Sequence, residues 1–113
     1  MHELGVIIEV VKRVEKIAIQ NHLTKIDTLV IEIGELSTII PAYIKSCYPA
    51  AVDGTILEET KLKIEILKGF AKCSNCLAEY RLIENEACCP ECKSHEWILL
   101  SGKEFMIKEI MAY

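Results

Sequence analysis

At 113 residues the chain has room for one ordinary domain, or for a small domain with a smaller appendage. Thirteen Lys and Arg against seventeen Asp and Glu leave a formal charge of −4, the wrong sign for a protein built to neutralise phosphates, and this argues against general nucleic-acid binding. Hydrophobic residues make up 51% and charged residues 27%, a globular balance that excludes a disordered chain.

The longest apolar runs, such as Val6 to Ile8 and Trp97 to Leu100, fall far short of the roughly 20 residues of a membrane span. Glu3 and Glu9 interrupt what would be the apolar region of a signal peptide. The expected compartment is therefore the cytoplasm. Six cysteines in that setting point to metal or redox chemistry instead of disulfides.

Taken in chain order, residues 4–20 place Leu4, Ile7, Ile8, Val11 and Ala18 on one face and Glu9, Arg13, Lys16 and Gln20 on the other. The 3.6-residue period predicts a helix, with Glu9 and Arg13 as an i,i+4 pair and Asn21-His22 as its end. Ile26 to Gly34, rich in branched residues, predicts a strand with Leu29, Ile31 and Ile33 on one face. Pro41 suits the first turn of a second helix, and Pro49 within the same segment predicts a kink or an early end. Asp53-Gly54 marks a turn. Lys61 to Lys68 alternates with Leu62, Ile64 and Ile66 inward, a half-buried strand, and Lys103 to Ile110 supplies a third strand. Gly69 and Gly102 bracket a segment that holds five of the six cysteines. The expected fold class is α+β: a small three-stranded sheet with two helices, plus an inserted zinc-ribbon-like module. The expected domains are 1–69 with 102–113, and 70–101.

Cys73-Ser-Asn-Cys76 and Cys89-Pro-Glu-Cys92 are two C-x-x-C pairs separated by twelve residues. Each pair sets two thiolates on a tight knuckle, and two facing knuckles make a tetrahedral four-sulfur site that suits zinc. Binding would supply folding energy that a thirty-residue insert lacks. Four thiolates around one divalent ion are saturated, which makes the site structural and not hydrolytic. The residues after the knuckles are Leu77 and Lys93, where Gly would relax the turn most easily. Cys88 competes with Cys89, and the C-x-x-C spacing favours Cys89. A rubredoxin-like iron site uses similar knuckles. His95 reads as a surface histidine or as an alternate ligand, and Cys47 as a small buried residue.

The chain begins Met1-His2-Glu3. A free terminal amine, the amide nitrogen of residue two and the imidazole of His2 can close two fused chelate rings, a planar nitrogen set that favours nickel(II) or copper(II). Glu3 could complete the set through its amide or carboxylate, or serve only the positive end of the first helix.

The Met-His-Glu start, Ile33-Gly34-Glu35-Leu36 after the first strand, the paired C-x-x-C module and Ser101-Gly102-Lys103-Glu104 come in an order that closely resembles the HypA/HybF nickel-insertion proteins of nickel–iron hydrogenase maturation. The resemblance covers essentially the whole chain and implies a metallochaperone, not an enzyme. It implies Met1, His2 and Glu3 as the nickel site and Cys73, Cys76, Cys89 and Cys92 as the structural zinc site, with nickel as transient cargo. It further implies a HypB-type GTPase and the hydrogenase large subunit as partners, with urease as a client of some relatives. No nucleic acid or membrane is expected as a partner, and the chain is expected to be a monomer or homodimer. The alternative reading is a zinc-ribbon interaction module without exchangeable nickel.

Overall fold

The computed structural model describes residues 2–112, with the backbone alone at His2. Its elements are helix α1 (His2–Gln20), strand β1 (Ile26–Gly34), helix α2 (Pro41–Val52), and strands β2 (Lys61–Leu67), β3 (Phe70–Cys73), β4 (Glu79–Arg81), β5 (Trp97–Ser101) and β6 (Phe105–Ala112). They form two three-stranded sheets, ordered β2-β1-β6 and β4-β3-β5. The chain divides into two compact units, one of residues 1–32, 39–65 and 106–113, the other of 33–38 and 66–105. Among the described residues no helix is long and apolar enough to cross a membrane.

In the first unit, α1 buries Glu3, Ile7, Val10, Val11, Val14 and Ala18, a stripe at the helical period in which Val10, Val14 and Glu3 join the expected Ile7, Val11 and Ala18, while the expected Leu4 and Ile8 are only half-buried. Glu9 makes its ion pair with Lys12, at 3.8 Å, and not with Arg13, because i,i+3 neighbours on a helix are as close as i,i+4 ones. The helix ends at His22, whose φ of 56° is the left-handed turn that stops a helix. The central strand β1 carries Leu29, Ile31 and Ile33 fully buried, as its alternation predicts.

Helix α2 starts at Pro41 and runs through Pro49 to Val52, so the early end does not occur. Pro49 is exposed in the last turn, and the Lys45 carbonyl it leaves without a donor belongs to an exposed residue. Ile44, Tyr48 and Val52 anchor the opposite side of the helix. The Tyr48 hydroxyl donates to the Thr60 carbonyl at 3.0 Å, and the Thr60 hydroxyl donates to the Ile26 carbonyl at 2.7 Å. This buried stitch ties α2 to the start of β1, and burial pushes the Tyr48 phenol up to about 12.

Strand β2 lies at a sheet edge, which leaves Ile66 47% exposed where the alternation alone turns it inward. Lys108 Nζ lies 2.6 Å from Glu65 Oε1, and this hydrogen bond holds the Glu65 carboxyl below its ordinary range while raising Lys108.

In the second unit three glycines meet. A Cβ on Gly34 would lie 2.0 Å from the Gly102 carbonyl oxygen, and one on Gly102 would lie 2.7 Å from the Gly69 Cα. Leu36 fills the remaining space against Gly69 and Gly102. The Gly69 amide donates to the Glu35 carboxylate, and the Leu36 amide donates to the Gly102 carbonyl at 2.7 Å.

Two congruent turns follow. The Leu77 amide donates to the Cys73 carbonyl at 3.0 Å and the Cys73 amide to the Ala78 carbonyl at 2.8 Å. The Lys93 amide donates to the Cys89 carbonyl and the Cys89 amide to the Ser94 carbonyl, both at 2.9 Å. Leu77 and Lys93 both adopt φ 65°, the left-handed conformation that this turn demands at its fifth position whatever the side chain.

Three outcomes follow for denaturation experiments. Gly34→Ala is expected to cost about 3 kcal/mol, since backbone opposes the new Cβ, whereas Gly5→Ala on open helix surface should gain about 0.5 to 1 kcal/mol. Leu77→Gly is expected to stabilise the folded chain by about 1 kcal/mol through release of the left-handed strain. A lowered carboxyl pKa gives stability that is present above the unfolded-state value and lost as pH falls through the folded one. Glu65→Gln should therefore lower the thermal midpoint slightly at pH 7, an effect that fades as pH falls through the ordinary carboxylate range and is gone below the lowered folded-state value.

Candidate metal centre

The sulfurs of Cys73, Cys76, Cys89 and Cys92 all lie within 4.8 Å of one another. Cys73 Sγ and Cys92 Sγ are 3.5 Å apart, as are Cys76 Sγ and Cys89 Sγ. A tetrahedral ion with metal–sulfur bonds of about 2.3 Å needs sulfur–sulfur edges of about 3.8 Å, and edges of 3.5 Å with none beyond 4.8 Å bracket that spacing. The thiolate set and its edges fit a zinc ion, and the same four residues would hold it.

The first C-x-x-C turn is positioned by strand structure, and the second lies in the connection between β4 and β5. Cys73 ends β3, which pairs antiparallel with β4 through Ala71 opposite Tyr80 and with β5 through Cys73 opposite Trp97. Beneath the sulfurs lies a small core of Ala71, Cys73, Tyr80, Leu82 and Cys89, with Leu36, Ala87 and Leu99 packed against it. Two of its five members are thus candidate ligands.

Hydrogen bonds reach the sulfurs unequally. Cys73 Sγ accepts from the backbone amides of Asn75 at 3.4 Å and Cys76 at 3.5 Å, and the latter contributes most to lowering its pKa. Cys92 Sγ accepts from the Asn75 side-chain amide at 3.4 Å. That bond, followed by the Ser94 amide, brings the Cys92 thiol down to about 6. The Ala78 amide pulls Cys76 down, but Cys89, burial and the other two sulfurs outweigh it and push Cys76 up to about 12.

Of the two adjacent cysteines, Cys89 is fully buried and joins the cluster. Cys88 Sγ lies 3.5 Å from the Lys93 carbonyl and 3.8 Å from the Cys89 carbonyl, facing backbone. His95 is exposed and outside the cluster, and Cys47 is half-buried on α2. Of the expected nickel ligands, Met1 and the His2 side chain lie outside the described residues. Glu3 is 5% exposed in the first turn of α1, where a carboxylate faces the helix's positive end.

Two residues of the centre escaped the sequence reading. Asn75 is one, and an amide inside a C-x-x-C turn is itself the signal, since only a side-chain donor there can cross to the other knuckle. Tyr80 is the other: its hydroxyl is buried without a hydrogen-bond partner among the described residues. Burial first, then the nearby Cys73 and Cys89 thiolates, push its phenol up.

The family model described as "Hydrogenase/urease nickel incorporation, metallochaperone, hypA" matches residues 1–112. The hydrogenase maturation factor HypA of Trichormus variabilis is 40% identical over 110 residues, 97% of this chain and 94% of that protein. The protein of the same name from Chlorobium luteolum is 32% identical over 111 residues, 98% of this chain and 95% of that one. The solution structure of the Ni metallochaperone HypA from Helicobacter pylori superposes with a TM-score of 0.69 at 23% identity, covering 99% of this chain and 97% of that one. A second HypA solution structure gives 0.74 at 23% identity, with 100% and 97% covered. These two share the fold. The full-length family match, with relatives above 30% identity over nearly the whole chain, places it: the chain belongs to the HypA family of nickel-incorporation metallochaperones.

Proposed function

We propose that this chain carries Ni(II) for the maturation of nickel–iron hydrogenase, with the ion held at Met1, His2 and Glu3 and a structural zinc held by Cys73, Cys76, Cys89 and Cys92. The observation that carries the reading is the match of residues 1–112 to a nickel-incorporation family. The geometry of the four sulfurs supports a division of labour. Four thiolates at tetrahedral spacing saturate one ion, so exchangeable cargo needs a second donor set. Residues 70–101 are then the zinc-binding domain, and residues 1–69 with 102–113 the nickel-binding domain.

The amine of Met1, the amide nitrogen of His2 and its imidazole form that second set, with Glu3 beside them at the start of α1. Planar nitrogen donors prefer nickel over zinc. A site at the head of a helix can pass its ion on by exchanging ligands one at a time with a receiving protein. A HypB-type GTPase and the hydrogenase large subunit are the partners that fit this role, in the cytoplasm, with the chain acting as monomer or homodimer. Such delivery is not an enzymatic reaction.

A second reading, a zinc-stapled interaction module without exchangeable nickel, draws on the exposure of Leu77, Ile98 and Leu100 in the cysteine module. Calorimetric nickel titration of tag-free, zinc-loaded protein separates the two. One nickel per chain is expected, lost in His2→Ala while zinc stays at one per chain. Nickel binding indifferent to His2, or none, leaves the interaction module. Because the imidazole (about 6.5) and the terminal amine (about 7.7 to 8.0) must both lose protons to bind, affinity should fall at least about a hundredfold from pH 7.5 to pH 5.5. Equal affinity at the two pH values would remove these ligands.

A further inference from the structure

The four sulfurs of the cluster differ in two independent ways, in their access to solvent and in the donors set over them. Cys73 and Cys89 are fully buried, Cys92 is half-buried and Cys76 is exposed, within an exposed run from Ser74 to Leu77. Asn75 reaches both knuckles: its backbone amide donates to Cys73 and its side-chain amide to Cys92, each at 3.4 Å. The exposed sulfur of Cys76 takes a backbone amide, that of Ala78, and among the described residues no side-chain nitrogen covers it.

We infer that Cys76 is the ligand through which soft electrophiles enter the metal-loaded centre, and that Asn75 is the positioning residue that keeps Cys92 from being a second entrance. The inference rests on the zinc reading of the four sulfurs. A metal-bound thiolate is more nucleophilic the more accessible its lone pairs and the fewer hydrogen bonds it accepts, and Cys76 accepts the Ala78 amide where Cys92 accepts both the Asn75 side chain and the Ser94 amide. Burial removes the access at Cys73 and Cys89. At the half-buried Cys92 the Asn75 amide occupies a lone pair of the sulfur at 3.4 Å. Outer-shell donors of this kind change metal-site properties by about ten- to a hundredfold.

The step is a simple addition. With N-ethylmaleimide, an electron pair on the Cys76 sulfur forms the new S–C bond as the sulfur's bond to the metal breaks. The former π pair of the maleimide takes a proton from water and leaves hydroxide. No electron changes hands, and the centre is left with three sulfur ligands.

The test uses the full chain with Cys47→Ser and Cys88→Ser, which removes the two thiols outside the cluster. Zinc content is measured first: absence of zinc overturns the zinc reading itself, and one zinc per chain lets the labelling judge the inference. Substoichiometric N-ethylmaleimide is then added, and singly labelled protein is mapped by peptide mass spectrometry while a chromophoric chelator follows zinc release. Cys76 is expected to carry about tenfold more first label than Cys92, with zinc release tracking it. Asn75→Ala and the isosteric Asn75→Asp should each raise labelling at Cys92 about tenfold and leave Cys76 within about twofold. First labelling at Cys73, Cys89 or Cys92, or an even spread, overturns the role of Cys76. Asn75 variants that leave the Cys92:Cys76 ratio unchanged overturn the role of Asn75, because a merely structural loss would raise all four sites together.

Discussion

Backbone meets backbone at Gly34, Gly69 and Gly102, and the cysteine module depends on that meeting. A single Cβ at Gly34 would stand 2.0 Å from the Gly102 carbonyl oxygen. With no side chains between them, the two stems of the segment from Phe70 to Ser101 come close enough for one leucine, Leu36, to cover both glycines. The Glu35 carboxylate then satisfies the Gly69 amide, and the Gly102 amide is satisfied by Glu104 at 2.6 Å. A tight junction of this kind closes a loop of some thirty residues once, at its base, and frees the segment inside it to be organised by its own chemistry.

That chemistry is economical with side chains. The core beneath the sulfurs has five buried members, and two of them, Cys73 and Cys89, are also ligands in the proposed centre. So small an apolar cluster cannot offset the conformational entropy of the residues around it. The proposed ion would supply what packing lacks. The same backbone bonding pattern around Cys73 and Cys89 sets Leu77 and Lys93 in left-handed backbone, so turn hydrogen bonding outranks local preference there.

Where packing governs a segment, the sequence displayed it; where ligand geometry or a single amide governs, the sequence stayed silent. Strand β1 was legible to the residue because it is central and its apolar alternation maps onto full burial at Leu29, Ile31 and Ile33. The helical period of α1 was legible too, but its buried stripe takes in Val10 and Val14 where Leu4 and Ile8 were expected. Strands β3, β4 and β5 were not, because strands of three to five residues are too short to show periodicity. The continuation of α2 past Pro49 was hidden too, since it turns on the proline being exposed while Tyr48 and Val52 hold the other side. The grouping of four sulfurs was plain from spacing, yet their inequality was not: it comes from the reach of Asn75 across the cluster and from which sulfurs lie beneath the surface.

As ligands of the proposed zinc, Cys73 and Cys89 would couple the module to its surroundings. If an interior residue is also a metal donor, the interior cannot assemble at full strength before the ion arrives. The stability of the module then varies with the logarithm of the free-ion concentration, by about 1.4 kcal/mol for each tenfold change above the dissociation constant. A cell short of the ion would lose this lobe first, through proteolysis of opened chains. The abundance of the protein would thereby become a gauge of metal supply.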